Sequence, residues 1–296
     1  MSDNLFLPLM DAFVDCLNSV KNYYNKVPNN IEYRLDTNYY LGDIWIPIGM
    51  KNRRTKQYIK IGGETSHTYI CGQTGSGKSN LVKVILSTII NNYPNVRLQL
   101  FDYKRVELSL FKSTRNCDVF EWDEDAISEG INKLYQLVLD RYDILAEQGL
   151  TEADKSMNSI LCVIEEISLM PKKDMKILRK LMAISRGVHV YILFTTQRPS
   201  NEVLDNVVKS LVGNRICLKT DDKKNSVIAL DKVGCESLQG KGHGYCKANG
   251  YIVEFQAYYI NSEIINFIIN KYRKQVIPMP AQNVQMENLD DWVEKL

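Results

Sequence analysis

The 296-residue sequence predicts an α/β fold: a mostly parallel sheet covered by helices on both faces, with a small N-terminal addition and a C-terminal hairpin plus helix. Three observations predict it. From His67 onward short apolar runs alternate with amphipathic helical stretches, as strands joined by crossover helices do. The first of these runs enters a glycine-rich loop, Gly72-Gln73-Thr74-Gly75-Ser76-Gly77-Lys78-Ser79, which opens a helix. Near the end, Asn249-Gly250 separates two apolar runs, a strong hairpin signal.

The elements follow in order. Phe13, Leu17 and Val20 share one face of a helix expected over 9–24, which Pro28-Asn29-Asn30 ends. Within 39–48, Trp45-Ile46-Pro47-Ile48 suggests an edge strand because proline cannot donate to a ladder. The basic stretch 51–56 reads as a solvated hairpin turn, with a DNA contact as its alternative. Strands are expected over 68–71, 96–101, 160–164 and 188–194, with Ile216-Cys217-Leu218 as a fifth. Leu81, Ile85 and Ile89 mark the helix after the loop, Ile127 to Leu145 a long helix stopped at Gly149, and 174–185 another. Runs at 245–248 and 251–255 flank the hairpin turn, and a last helix covers 263–274. The expected partition is an N-terminal helix and strand region over 1–60, one main domain over 61–275 and a tail over 276–296.

Composition narrows the class. Hydrophobic residues make up 45% and charged residues 24%, enough for a large core. The seven cysteines contain no C-x-x-C pair, and Cys71, Cys162 and Cys217 sit within apolar runs as reduced core residues would. His67, His189 and His243 lack metal-ligand spacing. Leu5-Phe6-Leu7 is interrupted by Pro8, Asp11 and Asp15, so no signal peptide is expected. No apolar stretch approaches the roughly 18 residues of a membrane span. The cytoplasm is the expected compartment, and a net charge of +2 is silent about partners.

The loop spacing is that of a P-loop, so ATP is the expected ligand. Backbone N–H groups at a helix N-terminus cradle phosphates, and residues 72–80, ending in Asn80, form the expected contact set. Lys78 adds a point charge for the β- and γ-phosphates, and the Ser79 hydroxyl is offered to Mg2+. An apolar strand delivering Glu165-Glu166 supplies two acids: Glu165 for the metal side and Glu166 for the attacking water. Thr195-Thr196-Gln197 end a strand expected beside the loop strand, close enough to sense hydrolysis; capping of the turn at Arg198-Pro199 is the alternative. Asp102 stays open between the site and an ion pair with Lys104 or Arg105.

Several stretches together resemble the motor domain of the FtsK/SpoIIIE family, within the wider group of ring-forming DNA pumps and conjugative, TcpA-like coupling ATPases. The loop resembles the family's own variant, and Phe101-Asp102-Tyr103-Lys104-Arg105-Val106-Glu107-Leu108 resembles its D-P-K-x-x-E-L stretch with tyrosine for proline. Thr195-Thr196-Gln197-Arg198-Pro199-Ser200 is similar to A-T-Q-R-P-S, and Gly187-Val188-His189 to G-I-H. Asn214-Arg215-Ile216 resembles the R-I strand, and Leu238-Gln239-Gly240-Lys241-Gly242-His243-Gly244 resembles L-L-G-x-G-D-M. Ordered similarity covers roughly 41–259.

The resemblance implies a RecA-like P-loop NTPase motor, an ATPase that drives double-stranded DNA through a homohexameric ring. Each nucleotide is then shared between neighbouring subunits, with Arg215 the candidate to reach across and Arg186 a second. Glu165 departs from the family's usual aspartate. Without membrane helices, and with too short a tail after Lys274 for a DNA-reading domain, the expectation is a plasmid, transposon or phage translocase recruited by a membrane-associated transfer partner. Two alternatives stay open: a polypeptide-exporting ATPase like those of specialised secretion systems, and a regulator that does not hydrolyse ATP.

Overall fold

The computed structural model describes residues 6–35, 43–154 and 156–274. In chain order these form α1 (Phe6–Asn25), β1 (Ile31–Glu32), β2 (Ile44–Met50), β3 (Lys56–Ile61), β4 (His67–Cys71), α2 (Lys78–Asn92), β5 (Arg97–Asp102), β6 (Cys117–Glu121) and α3 (Glu124–Glu147). There follow β7 (Ile160–Glu165), α4 (Lys172–Ile184), β8 (Val190–Thr196), α5 (Asn206–Leu211), β9 (Val212–Leu218), α6 (Lys223–Leu230), β10 (His243–Ala248), β11 (Tyr251–Tyr259) and α7 (Ser262–Lys271). The sheet order is β3-β2-β11-β10-β9-β4-β8-β7-β5-β6, with β1 pairing β11.

Strands β9, β4, β8, β7, β5 and β6 run parallel, while β10, β11, β2 and β3 extend the sheet as antiparallel neighbours. β4, β7 and β8 are buried at every position, which is why they read as continuous apolar runs rather than alternating ones. Both faces are covered. α2 and α7 pack on one core with Leu81, Ile85, Ile89 and Ile268, whereas α3, α4 and α6 close the other with Ile131, Val138, Leu178 and Leu230.

Several expectations shift. β2 is not the edge; β3 is, and β2 lies between β3 and β11. Pro47 is accommodated there because the ladder register breaks between Pro47 and Gly49. β6 was not expected, since Cys117-Asp118-Val119-Phe120-Glu121 carries a charge at two of five positions. The short helices α5 and α6 were also not expected, and both start at aspartate caps, Asp205 and Asp222. The basic stretch does turn the β2–β3 hairpin, with Arg53 and Arg54 stacked 4.1 and 3.8 Å over the rings of Tyr23 and Tyr24. β2 and β3 belong to the same sheet as the strands after His67, and the expected tail over 276–296 lies outside the described residues. Among the described residues no helix is long and apolar enough to cross a membrane.

Candidate active site

The carboxyl ends of β4, β8, β7 and β5 share one edge of the sheet, the usual place for a ligand in an open α/β fold. The glycine-rich loop leaves β4 there and is pinned on both sides. Gly72 N–H donates to Thr196 O at 3.3 Å, and Gln73 N–H to Lys219 O at 2.8 Å. A third brace comes from far along the chain: Gly242 N–H donates to Ser76 O at 2.6 Å. Gly77, at φ 102°, has no room for a side chain, because a Cβ would lie 2.6 Å from Gly242 N.

Lys78, 5% exposed, donates to Glu165 Oε1 and to Thr195 Oγ1 at 3.3 Å. Thr195 donates to Glu165 Oε2 at 2.8 Å, so both oxygens of Glu165 are engaged and the residue is only 1% exposed. Glu166 turns out of the strand with φ 59°, a left-handed conformation costing about 1 kcal/mol. That turn brings Oε1 to Ser168 Oγ at 2.6 Å, Thr196 Oγ1 at 3.0 Å and Gln197 N–H at 3.1 Å. Oε2 faces Lys104 Nζ at 2.7 Å. Burial alone would raise the Glu166 carboxyl; the Lys104 ammonium, Ser168 and Gln197 N–H outweigh it and hold the pKa down to about 2.

Of the expected residues, Lys78, Glu165, Glu166, Thr195 and Thr196 form one connected cluster, and Gln197 joins the loop, with Thr74 Oγ1 donating to its Oε1 at 3.4 Å. Asn80 lines the cavity over the loop and also ties two elements together. Its amide donates to Tyr258 O at 2.6 Å and accepts from Ile260 N–H at 3.0 Å, so the side chain ties α2 to β11. Asp102 makes neither expected interaction: it accepts from the backbone N–H groups of Lys104 at 3.1 Å and Leu108 at 2.9 Å, shaping the loop between them. Arg215 is not brought to this site. It lies within β9, 8% exposed, with its guanidinium 2.8 Å from Asp231, which also takes Lys209 and Lys247. Arg186 is exposed just before β8 begins, at the opposite edge of the sheet.

A cavity of about 710 Å³ opens over the loop, lined by Thr74, Lys78, Ser79, Glu107, Gln197 and Lys241 among others. Its residues fit a nucleoside triphosphate with Mg2+. Ser76 Oγ is buried with no hydrogen-bond partner among the described residues, and Gly75 has nothing within 4 Å on its side-chain side. Ser79 and Glu165 are the expected metal-side oxygens. Sequence reasoning missed Lys104, Glu107 and Lys241. All three sat within stretches quoted for the resemblance, and for Lys104 and Glu107 the aspartate before them was the signal that the loop folds back.

The FtsK/SpoIIIE family model matches residues 38–251. The chain is 29% identical over 233 residues to a DNA translocase FtsK of Chlamydia trachomatis, covering 69% of this chain and 29% of that one. It is 28% identical over 232 residues to a DNA translocase FtsK of Leptospira interrogans, covering 70% and 24%. The chain thus spans less than a third of these relatives. In fold it is similar to the pCW3 conjugation coupling protein TcpA, with TM-score 0.71, 22% identity and coverage of 83% and 75%. It is also similar to the cytoplasmic domain of the Thermomonospora curvata type VII secretion ATPase EccC, with TM-score 0.67, 20% identity and coverage of 80% and 32%.

Proposed function

The chain belongs to the FtsK/SpoIIIE family, and from that premise we propose that it is an ATP-driven translocase acting on double-stranded DNA as a ring-shaped homohexamer, for transfer or segregation of a plasmid, transposon or phage. One arrangement carries the reading. Two consecutive acids at the end of β7 meet the loop lysine and the end of β8 beneath a cavity of triphosphate size. A cytoplasmic location and recruitment by a membrane-associated partner belong to the same proposal.

The residues divide the work. Lys78 leaves Glu165 for the β- and γ-phosphates, and Thr195 keeps Glu165 oriented through the 2.8 Å hydrogen bond. The metal ion supplies charge neutralisation on the phosphate oxygens, with Ser79 and Glu165 to hold it. Glu166 takes the water-orienting role through Oε2, since Oε1 is already committed to Ser168, Thr196 and Gln197. Gln197 links that carboxylate to Thr74 and so to the bound phosphate end. Arg215 is the group proposed to reach a neighbour's γ-phosphate, and it would have to exchange Asp231 for phosphate to do so.

The polypeptide-exporting reading stays beside this one because the fold is similar both to the coupling protein TcpA and to the type VII secretion ATPase EccC, with TM-scores of 0.71 and 0.67. ATPase assays with linear duplex DNA and with secretion-signal peptides separate them. Stimulation by duplex DNA of any sequence, falling steeply with salt, is the expected result. Stimulation by peptide alone would transfer the assignment.

A further inference from the structure

Lys104 and Glu107 leave the same short loop after β5; Lys104 reaches Glu166, and Glu107 reaches the cavity wall. Asp102 fixes that loop by accepting the N–H groups of Lys104 and Leu108, and the Leu108 side chain is fully buried beside it. The backbone at Glu107 is therefore held just before a buried anchor. Its carboxylate crosses to the first turns of α2 and pairs there with Lys83 at 3.2 Å, one turn on from Ser79. It lines the nucleotide cavity beside Lys78 and Ser79.

We propose that Glu107 is a positioning residue on the metal side of the site: it orients the Ser79 hydroxyl and the water shell of the Mg2+ that accompanies bound nucleotide. This rests on reading the cavity as a nucleotide seat. A hydroxyl that gives a lone pair to a cation still has a proton to donate, and Glu107, which lines the same cavity as Ser79, offers a carboxylate to accept it. Mg2+ keeps several of its waters when bound, and those waters need acceptors too. Glu165, buried and held by Thr195 on one oxygen, has a single oxygen to give once Lys78 leaves it, and that one is assigned to the metal itself.

Mn2+ titrated into the full chain with a non-hydrolysable ATP analogue, with free Mn2+ read by electron paramagnetic resonance, tests this directly. Glu107→Gln should weaken Mn2+ affinity about tenfold, the usual scale for an outer-shell partner. Its binding of the analogue in EDTA should not fall, since the carboxylate then only repels the triphosphate. Lys83→Met breaks the same ion pair from the other side and leaves the carboxylate in place, so Mn2+ affinity should be retained. An affinity for Glu107→Gln within about twofold of wild type overturns the proposal. So does an equal loss in both variants, which would mark the pair as structural. Failure of the wild type to bind the analogue at all would remove the nucleotide reading itself, a result distinct from either.

Discussion

Lys104 Nζ stands 2.7 Å from Glu166 Oε2, the carboxylate oxygen left over once Ser168, Thr196 and the Gln197 N–H have taken Oε1. The ammonium thus occupies the position from which Glu166 would address a water. In this arrangement the acid is ionised, oriented and blocked at once. On the role proposed for Glu166, release of Lys104 would have to precede hydrolysis, and the loop carrying it also carries Glu107, which lines the cavity.

Lys104→Met should accordingly raise ATP hydrolysis in the absence of DNA severalfold and shrink the additional stimulation that DNA produces. Steady-state ATPase rates with and without duplex DNA measure both. A variant whose basal rate falls while its fold is intact would mean that Lys104 orients Glu166 for the reaction rather than withholding it.

The two acids at the end of β7 should separate by phenotype. Glu166→Gln keeps the three contacts to Oε1 within reach of its amide oxygen, so MgATP binding should persist while hydrolysis falls by about 10²–10⁴. Glu165→Gln should chiefly weaken the dependence of nucleotide binding on Mg2+. Near wild-type turnover by Glu166→Gln would remove the role given to it.

Arg215 distinguishes a shared site from a private one. Arg215→Ala leaves the half-exposed Asp231 with Lys209 and Lys247, so the loss of fold stability should stay at about 1.5–3 kcal/mol, the scale of a hydrogen bond to a charged group, and the protein should remain folded. Mixing it with Lys78→Ala subunits should then restore part of the DNA-stimulated ATPase, because some interfaces combine an intact Lys78 with an intact Arg215. Mixtures that stay inactive although both variants assemble would confine Arg215 to its pairing with Asp231.

His67 carries a pH dependence of the fold itself. Its ring bridges Met182 O at 2.9 Å and the Ile192 N–H at 3.0 Å, and burial, opposed by the Met182 hydrogen bond, lowers its pKa to about 4 from an ordinary 6.5. The folded state keeps the ring neutral where the unfolded chain would protonate it, so stability falls as pH drops from about 6.5 to about 4. The contribution is about 3 kcal/mol over that window. His67→Gln should be less stable at pH 7.5, with the gap to wild type closing as pH falls through the same range in denaturant titrations. A gap that stays constant contradicts the buried neutral ring.

How much could be read beforehand follows from what each element asks of its sequence. β4, β7 and β8 are buried on both faces, so their uninterrupted apolar runs were legible, and with them the loop and the paired acids that such strands deliver. The β10–β11 hairpin was legible through Asn249-Gly250. By contrast, β6 runs along the sheet's outer side with a partly exposed, charged sequence, and β2 looked like an edge because Pro47 hides its bulge. Lys104, Glu107 and Gly242 act through a folded-back loop and a contact some 165 residues from the P-loop, and no periodicity encodes either. Asn80 was assigned to the nucleotide by its place after Ser79; it lines that cavity, and its further tie to β11 was not legible, because the partners lie some 180 residues on.

The central claim is that nucleotide hydrolysis at this site moves the chain along duplex DNA. Displacement of a labelled third strand from a triplex at one end of a linear duplex measures that movement directly. The wild-type protein should strip the third strand only when ATP and Mg2+ are present, faster on duplexes long enough to load a ring, and Glu166→Gln should bind the DNA without displacing it. DNA-independent hydrolysis with the triplex left intact, or displacement that proceeds equally well with Glu166→Gln, would contradict the account.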